Sequence, residues 1–334
     1  MRKIYFIGMW LVVTSLLFGL SGYGITAPKV EWTYPVLPAS GQYAREHMDW
    51  FAAEVNRRSN GRLKIFTQQY AEVGLRGFES LTMIKNGAYP VIEVVSGYAA
   101  GEIPALALYS APYVVNSPKE GIKVLKATRD IRQRELDKFS ALDIPLYKTG
   151  PPLTLFSTKP VRKLADLKGL KVRAPGRIIA SYVTALGATP VTTASAEAYT
   201  ALQRGTVDAA LTAAYNAFGR GFHEVTQYVT LFTTPLVTFT VVNKERWNAL
   251  PNDLRDIALQ VAAEATDRLT ADSIAEIAAT PDKIRAKGLE YIVLSAEEEA
   301  KRRGIAMGLW DKWAQKCGPA GQELLKKVQA ITSK

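Results

Sequence analysis

Apolar and polar positions follow two different rhythms along this chain, and their order is informative. Val30–Tyr34 alternates as a strand does, Tyr43–Ser59 carries helical spacing up to Asn60-Gly61, and Leu63–Phe66 reads as a second strand. Gly77–Lys85 is helical up to Asn86-Gly87, and Val91–Val95 is a third strand. This β-α-β-α-β order predicts a parallel sheet covered by helices. The second half repeats the grammar. Leu153–Ser157 and Leu170–Arg173 are strand-like, a helix is expected from about Arg177 to Leu186, Ser195–Arg204 is helical up to Gly205, and Val207–Leu211 is a short buried strand. The pattern predicts an α/β protein of two lobes with a cleft between them.

From Asn252 the rhythm changes. Helical spacing runs to Gly288, with Asn252 or Asp253 as the cap and Gly288 as the stop. About 30 helical residues would span about 45 Å, longer than one lobe, so this helix is expected to bridge both. Pro281 lies inside it and predicts a kink or break.

One stretch raises a question of chemistry. In "LKGLKVRAPG" (Leu167–Gly176), Leu170 and Val172 point to one face of a strand and Lys171 and Arg173 to the other, before Ala174-Pro175-Gly176 ends it. Arg173 is either part of a solvated edge or a charge presented to a ligand by a strand end.

The chain has 334 residues, enough for two domains, and its 48% apolar and 22% charged content is ordinary for a globular protein. The N-terminus is not ordinary. Arg2 and Lys3 precede an uncharged run from Ile4 to Leu20, then a stretch rich in small residues from Ser21 to Ala27. This is the layout of a secretory signal over residues 1–27, with cleavage after Gly24 or Ala27; the alternative is an uncleaved anchor. Tryptophan, glycine and serine interrupt the run, which favours removal. The single cysteine, Cys317, forms no intrachain disulfide, and no cysteine closes the signal as a lipoprotein would require. A freely diffusing periplasmic protein is the expectation.

Net charge is +11, of which Arg2 and Lys3 supply two. The basic residues interleave with acids, as in "KATRDIRQRELDK" (Lys126–Lys138), the pattern of a solvated helix face. No nucleic-acid-binding signature is present, and attraction of small anions is the better use of the charge. His47 and His223 are the only histidines, with no H-E-x-x-H and no cysteine pair, which argues against a zinc enzyme. There is no G-x-S-x-G, P-loop or G-x-G-x-x-G, and Glu297-Glu298-Glu299 reads as a helix start. No catalysis, metal or cofactor is expected. A secreted enzyme on a two-lobe fold would need a constellation that is not visible.

"KPVRKLADLKGLKVRAPG" (Lys159–Gly176) and "GATPVTTASAEAYTALQRGTVDAALT" (Gly187–Thr212) carry a family resemblance, supported by "APYVV" (Ala111–Val115), "FHEVTQYV" (Phe222–Val229) and "NKERWNALP" (Asn243–Pro251). In order and over nearly all of the mature chain, these resemble the DctP-type solute-binding proteins of tripartite ATP-independent periplasmic (TRAP) transporters. The resemblance implies a two-lobed periplasmic-binding-protein fold, class II-like, with hinge strands and a long helix bridging both lobes. By that analogy lobe 1 is 28–150 plus 239–278, and lobe 2 is 151–238 plus 279–334. It implies a protein that closes on an organic acid and delivers it to a TRAP membrane permease. A ligand-presenting partner of a sensor would share the same cleft, and oligomeric state is not readable.

Arg173 aligns with the family's carboxylate-gripping arginine, and a guanidinium fork matches a carboxylate with two parallel hydrogen bonds. Thr212 falls where the family places a polar contact, or it is a strand-end cap. Asp208 is expected to hold a turn, and Tyr215 and Asn216 follow on the same loop. Tyr34 and Tyr98, at strand ends in lobe 1, are candidate pocket walls, and Arg76 is a candidate second cation or a helix-start residue. Sialic-acid-binding relatives carry charged residues at the positions aligned with Leu153 and Leu211. Their loss predicts a less polar pocket, suited to a monocarboxylate with a hydrophobic body, such as an aromatic or branched 2-oxo acid.

Overall fold

A computed structural model describes residues 29–37 and 42–332 of the chain. The expected signal segment, residues 1–27, lies outside the described residues. Strands β1 (Val30–Val36) and β2 (Leu63–Gln69) form a parallel pair, Val30 opposite Leu63, connected by the helix Gln42–Arg58. The remaining strands are β3 (Val91–Val95), β4 (Ala141–Ser157), β5 (Lys171–Ala174), β6 (Thr189–Thr192), β7 (Ala209–Ala213), β8 (Tyr228–Asn243) and β9 (Glu290–Ile292). They make a seven-stranded sheet in the order β3-β8-β4-β7-β5-β6, with β9 beside β8.

The local pattern predicts a parallel sheet for the first half. The structure differs: β3 pairs antiparallel with β8, from Val91 opposite Val242 to Val95 opposite Thr238. The partner strand arrives from far along the chain, which no local rhythm announces. Leu153–Ser157, read as a separate strand, is the far end of β4. Strands β4 and β8 are the long antiparallel pair that ties the lobes together. One end carries β3, and the other carries β7, with Leu153–Ser157 opposite Ala213–Ala209. Between these ends the register slips at Ile144/Tyr147, at Gly150/Leu153 and at Leu153/Thr154. Pro145, Pro151 and Pro152 lie in the first two slips, where a residue without an N–H costs no ladder bond.

The long helix is present as Asn252–Ala286. Pro251 takes the N-cap position and offers no side-chain cap, so Asn252 and Asp253 are the first helical residues rather than caps. The expected break at Pro281 does not occur. The helix continues through it and ends where Gly288 adopts a φ of 75°. Pro281 removes one intrahelical bond, and little helix remains beyond it to be lost. Leu254, Ala258, Val261, Ala265 and Leu269 pack with Trp32, Phe51 and Val55 in one core, while Ile284 packs with Phe156, Phe222 and Val229 in another. One helix therefore anchors in both lobes. A third apolar cluster joins Val94 and Leu106 to Leu170, Ile179 and Leu211, and the C-terminal helices Ala296–Lys316 and Gly318–Thr332 add Trp310, Trp313 and Leu325 to it.

Candidate functional site

Arg173 is not a solvated edge residue. Its strand β5 is flanked on one side by β6, with Val191 opposite Arg173, and on the other by β7, with Ala210 opposite. The side chain is buried, with 1% of the residue exposed. The guanidinium donates from Nε and Nη2 to the Thr193 carbonyl at 3.0 and 2.7 Å, from Nη1 to the Leu211 carbonyl at 2.9 Å, and from Nη2 to the Tyr98 hydroxyl at 3.2 Å. A guanidinium has five N–H donors, so one on Nη1 is left over among the described residues. No carboxylate among the described residues pairs with this charge. The expected two-pronged grip is therefore partly occupied by Tyr98, on the longest of the four bonds.

Tyr98 comes from the turn after β3, at the opposite end of the strand order from β5 and β6. Its hydroxyl also accepts the Ser195 backbone N–H at 3.2 Å, and its ring lies against Phe78 with centroids 4.5 Å apart. Beside it the turn after β3 and the turn after β5 touch through glycines. A Cβ on Gly176 would lie 2.8 Å from the Gly97 carbonyl oxygen. That contact leaves no room for a side chain at Gly176, which caps the helix Arg177–Ala185 two residues past the end of β5.

These residues enclose a cavity of about 30 Å³ lined by Leu37, Val95, Tyr98, Leu153, Arg173, Pro175, Ser195, Thr212, Asn216 and Leu236. Arg173, Tyr98 and Thr212, separated widely in sequence, meet here. Thr212 is the last residue but one of β7, and its Oγ1 accepts a bond of 3.1 Å from Asn216 Nδ2. Leu153 contributes an apolar wall, whereas Leu211 gives the site only its carbonyl and turns its side chain into the core with Leu155 and Val172. Asp208 holds the turn below: its carboxylate accepts the Lys171 N–H at 2.9 Å and pairs with Lys159 at 3.0 Å. The Lys171 bond is the main cause that keeps this carboxyl below the usual aspartate range.

Three other candidates stand elsewhere. Tyr34 is 0% exposed and belongs to the core of the β1–β2 pair, its hydroxyl 2.6 Å from Thr240 Oγ1. Burial holds its phenol well above the ordinary tyrosine range. Tyr215 is buried against Ala213 and Leu236 and so backs a cavity wall without lining the cavity. Arg76 is largely exposed and pairs with Glu197 at 3.4 Å, a contact between the segment before helix Ser80–Lys85 and the segment after β6. The sequence reading passed over Ser195 and Arg220 and did not single out Asn216. Asn216 lies in the helix Ala214–Gly219 that follows β7, and Arg220, its C-cap, comes four residues later, the spacing that brings two side chains together along a helix; that was the available signal.

Among the described residues no cluster of histidine, cysteine or carboxylate side chains is arranged to hold a metal ion, and no helix is long and apolar enough to cross a membrane.

Residues 37–316 match the profile of the DctP family, bacterial extracellular solute-binding protein family 7. A solute-binding protein of Albidiferax ferrireducens is 26% identical over 83% of this chain and 84% of its own length. A monocarboxylate 2-oxoacid-binding periplasmic protein of a Nostoc species is also 26% identical, over 79% of this chain and 74% of its own. Among solved structures, an extracytoplasmic solute receptor of Bordetella pertussis, described as binding pyroglutamic acid, superposes with a TM-score of 0.83. It is 26% identical, and the alignment covers 90% of this chain and 99% of that one.

Proposed function

The chain belongs to family 7 of the bacterial extracellular solute-binding proteins, and from that premise we propose that it captures an organic acid in the Arg173 cavity and hands it to a TRAP-type membrane permease. The observation that carries this reading is a buried guanidinium facing a cavity with no carboxylate beside it. A buried charge without a counter-ion is costly, and an anionic ligand supplies what the chain withholds. The remaining Nη1 donor and the Nη2 donor now given to Tyr98 are the groups a carboxylate would take. Leu37, Val95, Leu153, Pro175 and Leu236 would face the body of the ligand, which suits a monocarboxylate with an apolar part.

Capture and release follow from the two lobes. Tyr98 and Gly97 come from one side of the cleft, and Arg173, Gly176 and Ser195 from the other. A ligand that touches both sides favours the closed arrangement by its differential affinity. In this reading lobe 1 is 28–150 plus 239–278 and lobe 2 is 151–238 plus 279–334, hinged where β4 and β8 slip register. The protein works in the periplasm, exported by a cleavable signal, and performs no chemistry on its ligand.

The test is a thermal-shift screen of the purified mature chain against a library of carboxylic acids, with sugars and amines of similar size as controls. A ligand that binds only the folded state raises the melting temperature. Stabilisation by acids that Arg173→Ala abolishes supports the reading; stabilisation by neutral or cationic solutes alone overturns it.

A further inference from the structure

The hydrogen-bond directions around the cavity carry information that its shape does not. Arg220 Nε donates to Asn216 Oδ1 at 3.1 Å. An arginine can only donate, so the oxygen of the Asn216 amide must face it and the Nδ2 group must face the other way. That group donates to Ser195 Oγ at 2.9 Å and to Thr212 Oγ1 at 3.1 Å. Both hydroxyls are thereby acceptors toward Asn216, and their own hydrogens remain to be given elsewhere. Tyr98 is in the same position. Its oxygen accepts from two obligate donors, Arg173 Nη2 and the Ser195 N–H, so its hydrogen is also available. Among the described residues no acceptor takes any of these three hydrogens. The backbone carbonyls nearest to Arg173, those of Thr193 and Leu211, are already engaged by it.

We propose that Arg220 is a positioning residue that leaves the hydroxyl hydrogens of the cavity free to be given to a ligand, so that the site selects acids carrying a second acceptor oxygen next to the carboxylate, with 2-oxo acids preferred over the plain acid and the 2-amino acid of the same skeleton. This rests on the reading of Arg173 as the carboxylate site. The carboxylate takes the Arg173 donors, and the second oxygen takes hydroxyl hydrogens from the Ser195, Thr212 and Tyr98 group. An ammonium group offers only donors: the Tyr98 oxygen already accepts two bonds, the Ser195 and Thr212 hydroxyls would have to turn their one remaining lone pair to it, and it would face the Arg173 charge. Arg220 is half-buried, and no carboxylate among the described residues pairs with it. Burial above all depresses its proton affinity; Tyr98 opposes this, and the positive charge of Arg173 adds to it.

The experiment is calorimetry on the full mature chain with three matched sets: butyrate, 2-oxobutyrate and 2-aminobutyrate; isovalerate, 2-oxoisovalerate and valine; hydrocinnamate, phenylpyruvate and phenylalanine. In the best-fitting set the 2-oxo acid should bind at least about tenfold more tightly than the plain acid, with no measurable binding of the amino acid. Arg220→Met removes a donor that orients the Asn216 amide, and the ratio of 2-oxo to plain acid should fall to about threefold or less. Arg220→Lys, which still donates to Asn216, should restore most of it. A purely structural role would weaken both acids alike and leave the ratio where it was; an unchanged ratio in the Met variant, with both acids still bound and still dependent on Arg173, overturns the role of Arg220 alone. Preference for the amino acid, or failure of every acid to bind, overturns the Arg173 reading and this inference with it.

Discussion

Gly176 and Gly97 meet across the cleft so closely that a methyl group on the first would lie 2.8 Å from the carbonyl oxygen of the second. The obstacle is backbone, not a side chain that can swing away. Gly176→Ala should therefore hold the lobes apart at the point where Arg173 and Tyr98 join, at a strain of about 1–3 kcal/mol. Titration with whichever acid the wild type binds should show weakened affinity. Gly101→Ala, at a glycine with no atom near its would-be Cβ, should leave affinity unchanged. Equal affinities in both variants would show that the glycine contact does not govern closure.

Arg173→Ala should lose about 2–5 kcal/mol of ligand binding, because the ligand's carboxylate would be buried without a partner. It should also lower the melting temperature, since the Thr193 and Leu211 carbonyls lose their donor. Arg173→Lys keeps the charge but cannot reach Thr193, Leu211 and a ligand at once, and should bind far more weakly than wild type. Calorimetry on folded protein separates binding from stability; undiminished affinity in the alanine variant would refute the carboxylate site.

Tyr98→Phe removes a hydroxyl that accepts from Arg173 and from the Ser195 N–H across the cleft. Each such bond is worth about 0.5–1.5 kcal/mol net. Off-rates measured by stopped-flow should rise, because the liganded, closed arrangement loses the bond from the Ser195 N–H and the hydroxyl hydrogen that Tyr98 offers the ligand. An off-rate equal to that of wild type would show that the hydroxyl does not secure closure.

Ligand addition should shrink the protein. Solution scattering should give a smaller radius of gyration at saturating acid than in its absence, since a ligand bound by both lobes shifts the population toward the closed form. Superimposable profiles would argue against hinge closure.

Acid should destabilise the fold partly through His47. Burial lowers its proton affinity more than Asp272, 2.9 Å away, restores it; Arg268 and Lys148 add to the lowering, and Glu46 opposes it. The folded chain then takes up this proton less readily than the unfolded chain, whose histidine titrates near pH 6.5. Stability is thus full above that pH, and falls as pH drops toward the folded-state value. His47→Gln should melt with a shallower dependence between pH 7.5 and 5.5 than wild type. Parallel curves would remove His47 from the account.

Much of the site's position was legible in the sequence. A basic residue at the last pleat before Pro175-Gly176 marks a strand end, and Arg173 sits there with its charge turned inward. Tyr98 follows β3 and reaches the cavity, whereas Tyr34, on β1, faces the core of its own lobe. Position near a strand end was equally suggestive for both; the packing of the neighbouring helix Gln42–Arg58 against β1 decided the matter, with Phe51 edge-on to the Tyr34 ring. Asn216 and Arg220 were harder to see. Their role depends on which atom of an amide faces which neighbour, and spacing alone does not contain that. The antiparallel pairing of β3 with β8 was invisible for a related reason: partners so far apart in sequence leave no mark on either local pattern.

The helix Asn252–Ala286 has a consequence for how such a protein can change over generations. One core draws on Trp32 to Ile65, then Val91, Ile144 and Leu146, then Val242 to Leu269; another draws on Phe156, then Ala198 to Val229, then Ile284 and Leu289. The segments interleave, so no single cut of the chain yields a whole lobe. A single crossover between Val229 and Val242 would sever both cores at once, and one between Leu146 and Phe156 or between Leu269 and Ile284 would sever one of them. A single crossover thus cannot trade one intact lobe for a relative's, whereas a point substitution in the cavity wall leaves both cores whole.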